Sequence, residues 1–294
     1  MQTFPSETLH DSMTSLRGRY GEINMQATAV QPLAGASPAD PRAMAPWTLQ
    51  RDYRLPEGIE PPSHRLGRNG VTAAALLEGA ALDSLLDRFS ARYPGGDRRA
   101  IASQWSKWLF HAWLSPLIAT WLIQGDSRQR APSDWGIRFS PNGQAERLWL
   151  ATTRDVVAHP ARSAFLESLT LGPLAEMIAV LARHSGASVN VFWSNAGNLV
   201  EHVVTRLVDH PAVPPDQLAA AQAFLDAARI DGQRNRLYRP VTYRLTDEAS
   251  EPQRLRRACC IRYRLAEHDY CENCPLACRS ARGDLGNLDN RGEG

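Results

Sequence analysis

All five cysteines of this 294-residue chain lie in one stretch near its end, "CCIRYRLAEHDYCENCPLAC". Cys259 and Cys260 are adjacent, ten residues separate them from Cys271, and Cys274 and Cys278 follow at short spacings. Clustered thiols can form disulfides, act as a redox dithiol, bind zinc or hold an iron–sulfur cluster. The spacing of the cysteines distinguishes among these four chemistries.

Two of the four fit the sequence poorly. An odd number of cysteines and the lack of a secretory signal in "MQTFPSETLHDSM" argue against a disulfide framework. They predict a reducing, cytoplasmic location. The "CENC" motif at 271–274 has the spacing of a redox dithiol, but no βαβ pattern precedes it.

Zinc and an iron–sulfur cluster remain. Structural zinc is normally bound by two CxxC-type knuckles, and only Cys271 and Cys274 form one, because the side chains of adjacent residues such as Cys259 and Cys260 point apart. A [2Fe–2S] cluster takes two thiolates on each of two irons, so adjacent cysteines have more room to reach it. His268 is a further candidate ligand, although its spacing is not that of a Rieske-type site. Chemistry favours the cluster and leaves zinc open.

The spacing also resembles that of a known family. The stretch "RRACCIRYRLAEHDYCENCPLAC" is similar to the closing signature of the FhuF-like ferric siderophore (ferric hydroxamate) reductases, and "FWSNAGN" at 192–198 looks like their upstream segment rich in Trp and Asn. The resemblance implies that Cys259, Cys260, Cys271 and Cys274 hold a [2Fe–2S] cluster, with Cys278 outside the motif. It also implies one-electron reduction of a ferric siderophore, most simply of hydroxamate type, with release of Fe(II).

The electron source has to be another protein, because the chain has no Rossmann glycine pattern and no Walker loop. We expect a ferredoxin, a flavodoxin or an NAD(P)H-dependent reductase as the donor. The rival hypothesis is a non-enzymatic protein, either a structural zinc protein or an iron–sulfur redox sensor that regulates a partner. The net charge of +2 and the lack of a basic recognition helix argue against nucleic acid as a partner.

Two groups of residues near the cysteines are candidates for further roles. Asn195 and Asn198 share one helical face near Trp193. They are expected to bond either siderophore carbonyls or the cluster's sulfurs, or else backbone groups at a helix contact. The second group consists of arginines that we predict to form a basic rim steering an acidic donor or an anionic chelate: Arg254, Arg256, Arg257, Arg262, Arg264, Arg279 and Arg282. Lys107 is the only lysine, and the sequence assigns it no function.

The predicted fold is mainly α with a small antiparallel β element. Periodicity predicts helices at 71–93, 98–124, 172–186, 187–210 and 214–232, a β-hairpin at 137–151 turning at Asn142–Gly143, and an extended stretch at 237–246. Trp105, Trp108, Trp113 and Trp121 are interpreted as a core stripe.

Four regions are predicted along the chain. Residues 1–68 contain a proline-rich arm, 69–250 the helical domain, 251–280 the cluster-binding segment and 281–294 a flexible tail. The most apolar stretch, 108–123, is shorter than the roughly 20 residues of a spanning helix. We therefore expect a buried helix there and at most peripheral contact with the inner membrane.

Overall fold

Helices form most of the regular structure, and the sheets are small and antiparallel, so the predicted fold class is confirmed. The computed structural model describes residues 55–127, 130–151, 164–244 and 252–277. The helices are α1 (Ala73–Glu78), α2 (Ala80–Ser90), α3 (Arg98–Gln124), α4 (Phe165–Leu171), α5 (Pro173–Ser185), α6 (Val189–Arg206) and α7 (Pro215–Asp226). The strands are β1 (Gly70–Thr72), β2 (Trp135–Phe139), β3 (Ala145–Leu150), β4 (Arg229–Ile230), β5 (Gln233–Arg234), β6 (Val241–Arg244) and β7 (Gln253–Arg256).

Several predictions concern parts of the chain outside the described residues. These are most of the proline-rich arm, the tail, Cys278, Arg279 and Arg282. The last residues of the arm are described, and they join the sheet: the N–H of Ser63 donates to Leu148 O, and Ser63 O accepts from the N–H of Leu150. The four predicted regional boundaries stay predictions.

The long helix α3 lies at the centre of the fold. It packs along α6 and against β3, and it is buried over most of its length, as expected of a helix surrounded by other elements. Trp105 and Trp113 are buried within the core, whereas Trp108 is 43% exposed. Placing Trp108 in the core stripe was therefore wrong, because it lies about 140° around the helix from Trp113.

The start of α3 depends on Asp97. Its carboxylate accepts a hydrogen bond from the backbone N–H of Arg99 and pairs at 3.2 Å with Arg264, which follows the first two cysteines. These donors lower the pKa of Asp97 to about 2, with the hydrogen bond from the Arg99 side chain contributing most. Asp97 thus joins the helix start to the cysteine region.

Asp97→Ala is expected to lower the free energy of unfolding by about 1 kcal/mol, because α3 loses its N-cap. Urea unfolding followed by circular dichroism measures this loss. Asp87→Ala is the matched control, since Asp87 forms an exposed ion pair with Arg98 and caps no helix. It should change the stability by less than about 0.5 kcal/mol. Equal losses in the two variants would contradict the assigned role of Asp97.

The predicted helix at 71–93 is confirmed over most of its length but is wrong at its first two residues, at Gly79 and after Ser90. Residues 70–72 form β1 instead, and Gly79 separates α1 from α2. Gly79 has a φ of +96°, and a Cβ at this position would come within 2.3 Å of the His184 ring. The break therefore requires glycine both for its backbone conformation and for the close approach of α5.

The predicted hairpin is confirmed, but its turn lies one residue earlier than expected. The N–H of Gly143 donates to Ser140 O, so Pro141 and Asn142 occupy the central positions, and Gly143 follows with a φ of +79°. Proline suits the first central position of a type I turn, and the left-handed glycine then produces a bulge. The hairpin also pairs with β1, which gives the sheet order β1-β2-β3.

The remaining helices differ from the predictions mainly at their ends. Helix α5 agrees closely with the prediction, and α4 was missed. Helix α6 begins at Val189, which is 38% exposed, and ends at Arg206, before the predicted end at residue 210. Helix α7 ends at Asp226 because the chain then forms the β4–β5 hairpin, which turns through Asp231 and Gly232 at positive φ.

One stretch, Phe165–Ser185, is long and apolar enough to cross a membrane by length and composition alone. In the fold it forms α4 and α5, which are separated at Gly172. About half of its 18 most apolar consecutive residues are buried inside the protein. The stretch 108–123, predicted to be a buried helix, lies within α3 and is largely buried.

Candidate iron–sulfur site

The cysteine segment, residues 257–277, follows strand β7. Strand β7 pairs with β6, with Val241 opposite Arg256, and the N–H of Arg256 donates to Asn273 O at 2.9 Å. The short 3-10 turn Arg262–Arg264 packs against α3. The segment is therefore held by a strand at its start and by the central helix along its length.

The four motif cysteines form two pairs. Cys259 Sγ lies 3.9 Å from Cys274 Sγ, and Cys260 Sγ lies 3.8 Å from Cys271 Sγ. Metal–thiolate bonds of about 2.3 Å in a tetrahedron place two sulfurs roughly 3.8 Å apart. Each pair thus has the spacing of two ligands on one metal ion.

The pairs do not combine into a single four-ligand site. Within the described ranges, no group of three or more His, Cys, Asp or Glu residues is arranged around a common point for a metal. A structural zinc site needs four such ligands around one ion. Two separate pairs instead fit a centre with two metals, each taking two thiolates.

The backbone explains how adjacent cysteines serve different pairs. Side chains of neighbouring residues diverge, so Cys259 turns toward Cys274 while Cys260 turns toward Cys271. Ile261, the next residue, has a φ of +53°, which is unusual for a β-branched residue and turns the chain sharply. Its N–H donates to Cys259 Sγ at 3.2 Å.

Two buried hydroxyls fix the backbone around the adjacent cysteines. Ser194 Oγ on α6 donates to Ala258 O, and Ser103 Oγ on α3 donates to Cys260 O, both at 2.6 Å. On the other side of the site, the N–H of Cys274 donates to Cys271 O at 2.9 Å and closes the CxxC turn. All four thiols are thus positioned by hydrogen bonds that do not involve a metal.

Asn195 links the two helices to the segment. Its Nδ2 donates to Ser103 O, Ser103 Oγ and Ser106 Oγ, and its Oδ1 accepts from Arg256 Nη1 at 2.6 Å. The residue is 2% exposed. Of the two roles considered for Asn195, the structure therefore supports the helix contact and not substrate binding.

Asn195→Ala is expected to lower the free energy of unfolding by about 1–3 kcal/mol, because buried donors and acceptors lose their partner. The midpoint of urea unfolding measures the change. Asn190→Ala, at an exposed position on the same helix, should stay within about 0.5 kcal/mol of the parent. Equal stability of the two variants would contradict the assigned role.

Asn198 acts through Arg254 on strand β7. Its Oδ1 accepts from Arg254 Nη1, and its backbone O accepts from Nη2, both at 2.8 Å. Arg254 Nε also donates to Glu201 at 3.0 Å, and the Tyr243 hydroxyl donates to the same carboxylate. Asn195 and Asn198 thus position the strand that leads into the cysteines.

The predicted basic rim is wrong for two of its members. Arg254 and Arg256 point into the protein toward α6. The arginines left near the surface are Arg257, Arg262 and Arg264, and three exposed carboxylates share that surface: Glu267, Asp269 and Glu272. The described part of the segment is therefore mixed in charge.

His268, the further candidate ligand, has a different partner: its Nε2 lies 3.3 Å from the Tyr93 hydroxyl.

The surroundings of Cys260 favour the thiolate form that a metal requires. The hydrogen bond with Cys271 and the positive charges of Lys107 and Arg256 lower the pKa of Cys260 to about 4. In the same pair, the pKa of Cys271 is raised by its hydrogen bond with Cys260 and by burial. Burial raises the pKa of Cys259 to about 11. Binding of a metal at either pair must therefore displace a proton.

Another observation shows that the site suits an anionic sulfur-rich group. The Nε of Arg256 is buried, and in the described structure it has no hydrogen-bond partner. Lys107 Nζ lies 3.3 Å from Cys260 Sγ. A buried donor without a partner and an ammonium group beside a thiol complement a cluster with both bound thiolates and bridging sulfides.

The helical scaffold and the two thiol pairs thus define a dinuclear metal–thiolate protein. Residues 103–253 match the family model described as "Ferric iron reductase FhuF-like transporter", and residues 256–276 match "FhuF 2Fe-2S C-terminal domain". The chain belongs to this family of FhuF-like ferric iron reductases. It is an iron–sulfur oxidoreductase, and its cofactor is a [2Fe–2S] cluster.

A curated relative agrees with this assignment. The protein named "Ferric siderophore reductase" from Escherichia coli (strain K12) is 23% identical over 215 residues, which cover 71% of this chain and 80% of the relative. All four motif cysteines lie within the matched 2Fe-2S domain. The cofactor predicted from the cysteine spacing is confirmed.

Three residues that contact the cysteine segment were not predicted from the sequence to belong to the site. Ser103 and Ser194 are common residue types, although Ser194 lies within the quoted "FWSNAGN" segment. Lys107 was noted as the only lysine and was given no function. The position of Lys107 within an apolar stretch could have predicted an anionic partner, because a lysine is rarely buried without one.

Proposed function

We propose that this protein reduces ferric siderophores in the cytoplasm, with the cluster held by Cys259, Cys260, Cys271 and Cys274. Cys259 and Cys274 bind one iron, and Cys260 and Cys271 bind the other. The spacing of the two thiol pairs, 3.9 and 3.8 Å, carries this ligand assignment. The name of the curated relative supports the substrate class.

When bound, the cluster supplies one-electron chemistry. The role of the chain is to hold the thiolates and to control access to them. Cys260 and Cys274 are each 1% exposed, whereas Cys259 and Cys271 are only partly buried. Each pair thus has one thiol in the interior and one near the surface, so electrons enter and leave at the Cys259–Cys271 side.

Reduction releases the metal because of the chemistry of the chelate. Hydroxamate oxygens are hard ligands, which hold Fe(III) far more tightly than Fe(II). One electron added to the ferric complex gives Fe(II), and the weakened chelate loses it. A hydroxamate siderophore is the proposed substrate type, and a ferredoxin, a flavodoxin or an NAD(P)H-dependent reductase is the proposed donor.

The surface charge bears on how that donor docks. With Arg254 and Arg256 inside, the mixed surface around Cys271 does not favour strong electrostatic steering. A reducing compartment suits a centre with four thiolates, which supports the proposed cytoplasmic location. Contact with the inner membrane is proposed to be peripheral at most.

The decisive experiment uses the anaerobically reconstituted and reduced protein. After addition of a ferric hydroxamate, the S = 1/2 EPR signal should vanish, and a ferrous chelator should trap one Fe(II) per electron. The gallium(III) complex of the same siderophore is the matched control, because it has the same charge and nearly the same size but cannot accept an electron. A signal that persists with the ferric complex, or that vanishes equally with gallium, would reject the proposed activity.

A further inference from the structure

Lys107 lies directly beside Cys260, the interior thiol of the Cys260–Cys271 pair. It extends from α3, and its Nζ is 3.3 Å from Cys260 Sγ and within hydrogen-bond distance of Gln104 Oε1. The side chain of Lys107 is only partly exposed to solvent. The ammonium group therefore needs a nearby negative charge to remain in this position.

Arg256 brings a second positive charge to the same thiol pair. It is 8% exposed, and in the described structure its guanidinium makes one hydrogen bond, from Nη1 to Asn195 Oδ1. That partner is a neutral amide, and Nε is buried without any partner. A buried guanidinium without a carboxylate is costly, so an anionic partner is expected at this place.

Both cations act on the same side of the site. Lys107 Nζ is 3.3 Å from Cys260 Sγ, and Arg256 is joined to the backbone of Cys260 through Asn195 and Ser103. Arg257 and Arg264 of the same segment are exposed. Arg264, for example, is paired with Asp97. Solvent and salt screen surface charges strongly and buried charges much less. Lys107 and Arg256 therefore have the larger influence on a charge that forms between the thiols.

We propose that Lys107 and Arg256 are the two interior hydrogen-bond donors to the sulfur atoms on the Cys260–Cys271 side of the cluster, and that they raise its midpoint potential. This inference rests on the proposed ligand set. Each one-electron reduction adds one negative charge to the site, and two buried cations stabilise the more negative state. They are positioning residues for electron transfer, since they act through the sulfur atoms.

The test compares the midpoint potentials of wild type, Lys107→Met and Lys107→Arg, measured by EPR-monitored titration against mediator dyes. Lys107→Met should shift the equilibrium with a fixed mediator toward the oxidised protein by about tenfold, which corresponds to about 59 mV. Lys107→Arg keeps the charge and should retain most of the wild-type potential. Arg257→Gln, which removes an exposed arginine of the same segment, is the control and should shift the equilibrium far less.

Each outcome has a distinct meaning. A Lys107→Met protein that carries the cluster at the wild-type potential would overturn the proposal. A wild-type protein without a [2Fe–2S] spectrum after reconstitution would instead reject the ligand set on which the proposal rests.

A spectroscopic readout tests the hydrogen bonds separately from the charge. In the reduced wild type, ENDOR should show exchangeable protons coupled to the cluster that disappear after transfer to D₂O. One of these couplings should be missing in Lys107→Met. Arg256→Lys keeps a positive charge but loses Nε, so it should lose a different coupling. Identical proton spectra in all three proteins would also overturn the proposal.

Discussion

Alanine at any one of the four motif cysteines, Cys259, Cys260, Cys271 or Cys274, is expected to abolish stable cluster binding. Iron and sulfide in the reconstituted chain should fall from the [2Fe–2S] stoichiometry to nearly none, and the visible charge-transfer bands should vanish. The reason is geometric, because in the proposed ligand set each iron has only two thiolates from the protein, and the described residues contain no fifth cysteine to replace a missing one. Cys278→Ala is the matched control and should retain the full iron content.

Serine variants test the pairing itself, since an alkoxide ligand changes the Mössbauer parameters of the iron that it binds. In the double variant Cys259→Ser with Cys274→Ser, one iron should change and the other should keep its wild-type spectrum. In Cys259→Ser with Cys260→Ser, both irons should change to a similar degree. If the two doubles gave the same spectrum, the assignment of the thiols to separate irons would be wrong.

The second large effect is expected at Glu201 on α6. Its carboxylate is 7% exposed at the side chain, and it accepts hydrogen bonds from Arg254, Tyr243 and Thr205. Removing one partner of a buried ion pair leaves an uncompensated charge, which costs about 3–5 kcal/mol. Glu201→Ala should therefore lower the free energy of unfolding by that amount, measured by urea unfolding of the apoprotein.

Two comparisons make this prediction specific. Glu146→Ala removes an exposed ion pair with Arg138 and should cost at most about 1 kcal/mol. The double variant Glu201→Ala with Arg254→Met removes both charges, so it should recover much of the loss seen in the single variant. Loss without recovery in the double variant would show that the carboxylate acts through Tyr243 or Thr205 and not through Arg254.

The sequence predicted the chemistry of the site better than its surroundings. The resemblance to the family signature singled out the four cysteines, which the structure brings together in two pairs. Ligands close in sequence come together through a local turn such as Cys271–Cys274. The division of the ligands into pairs could not be predicted, since it depends on the left-handed conformation of Ile261 and on hydroxyls from two distant helices. Ser103 and Ser194 lie far from the cysteines in sequence and carry no recognisable pattern.

Similar reasons explain the errors elsewhere. Periodicity predicted most helices, because a helix buries its residues at regular intervals. It failed at Gly79, where a single residue and the approach of His184 divide one apparent helix into two. The error about the basic rim has a different cause: composition shows a basic stretch but not the direction of each side chain. Arg254 and Arg256 turn inward because α6 presents Glu201, Asn195 and Asn198 to them.

The tethers of the cysteine segment to α3 and α6 have a consequence for biogenesis. The helices that supply Ser103, Asn195 and Glu201 leave the ribosome before residues 252–277 are made. Because folding proceeds from the N-terminal side during translation, the helical receptor is assembled before the last thiol emerges. Iron and sulfide therefore reach thiols that a helical scaffold already surrounds, and the partly exposed Cys259 and Cys271 are the thiols that they can approach first.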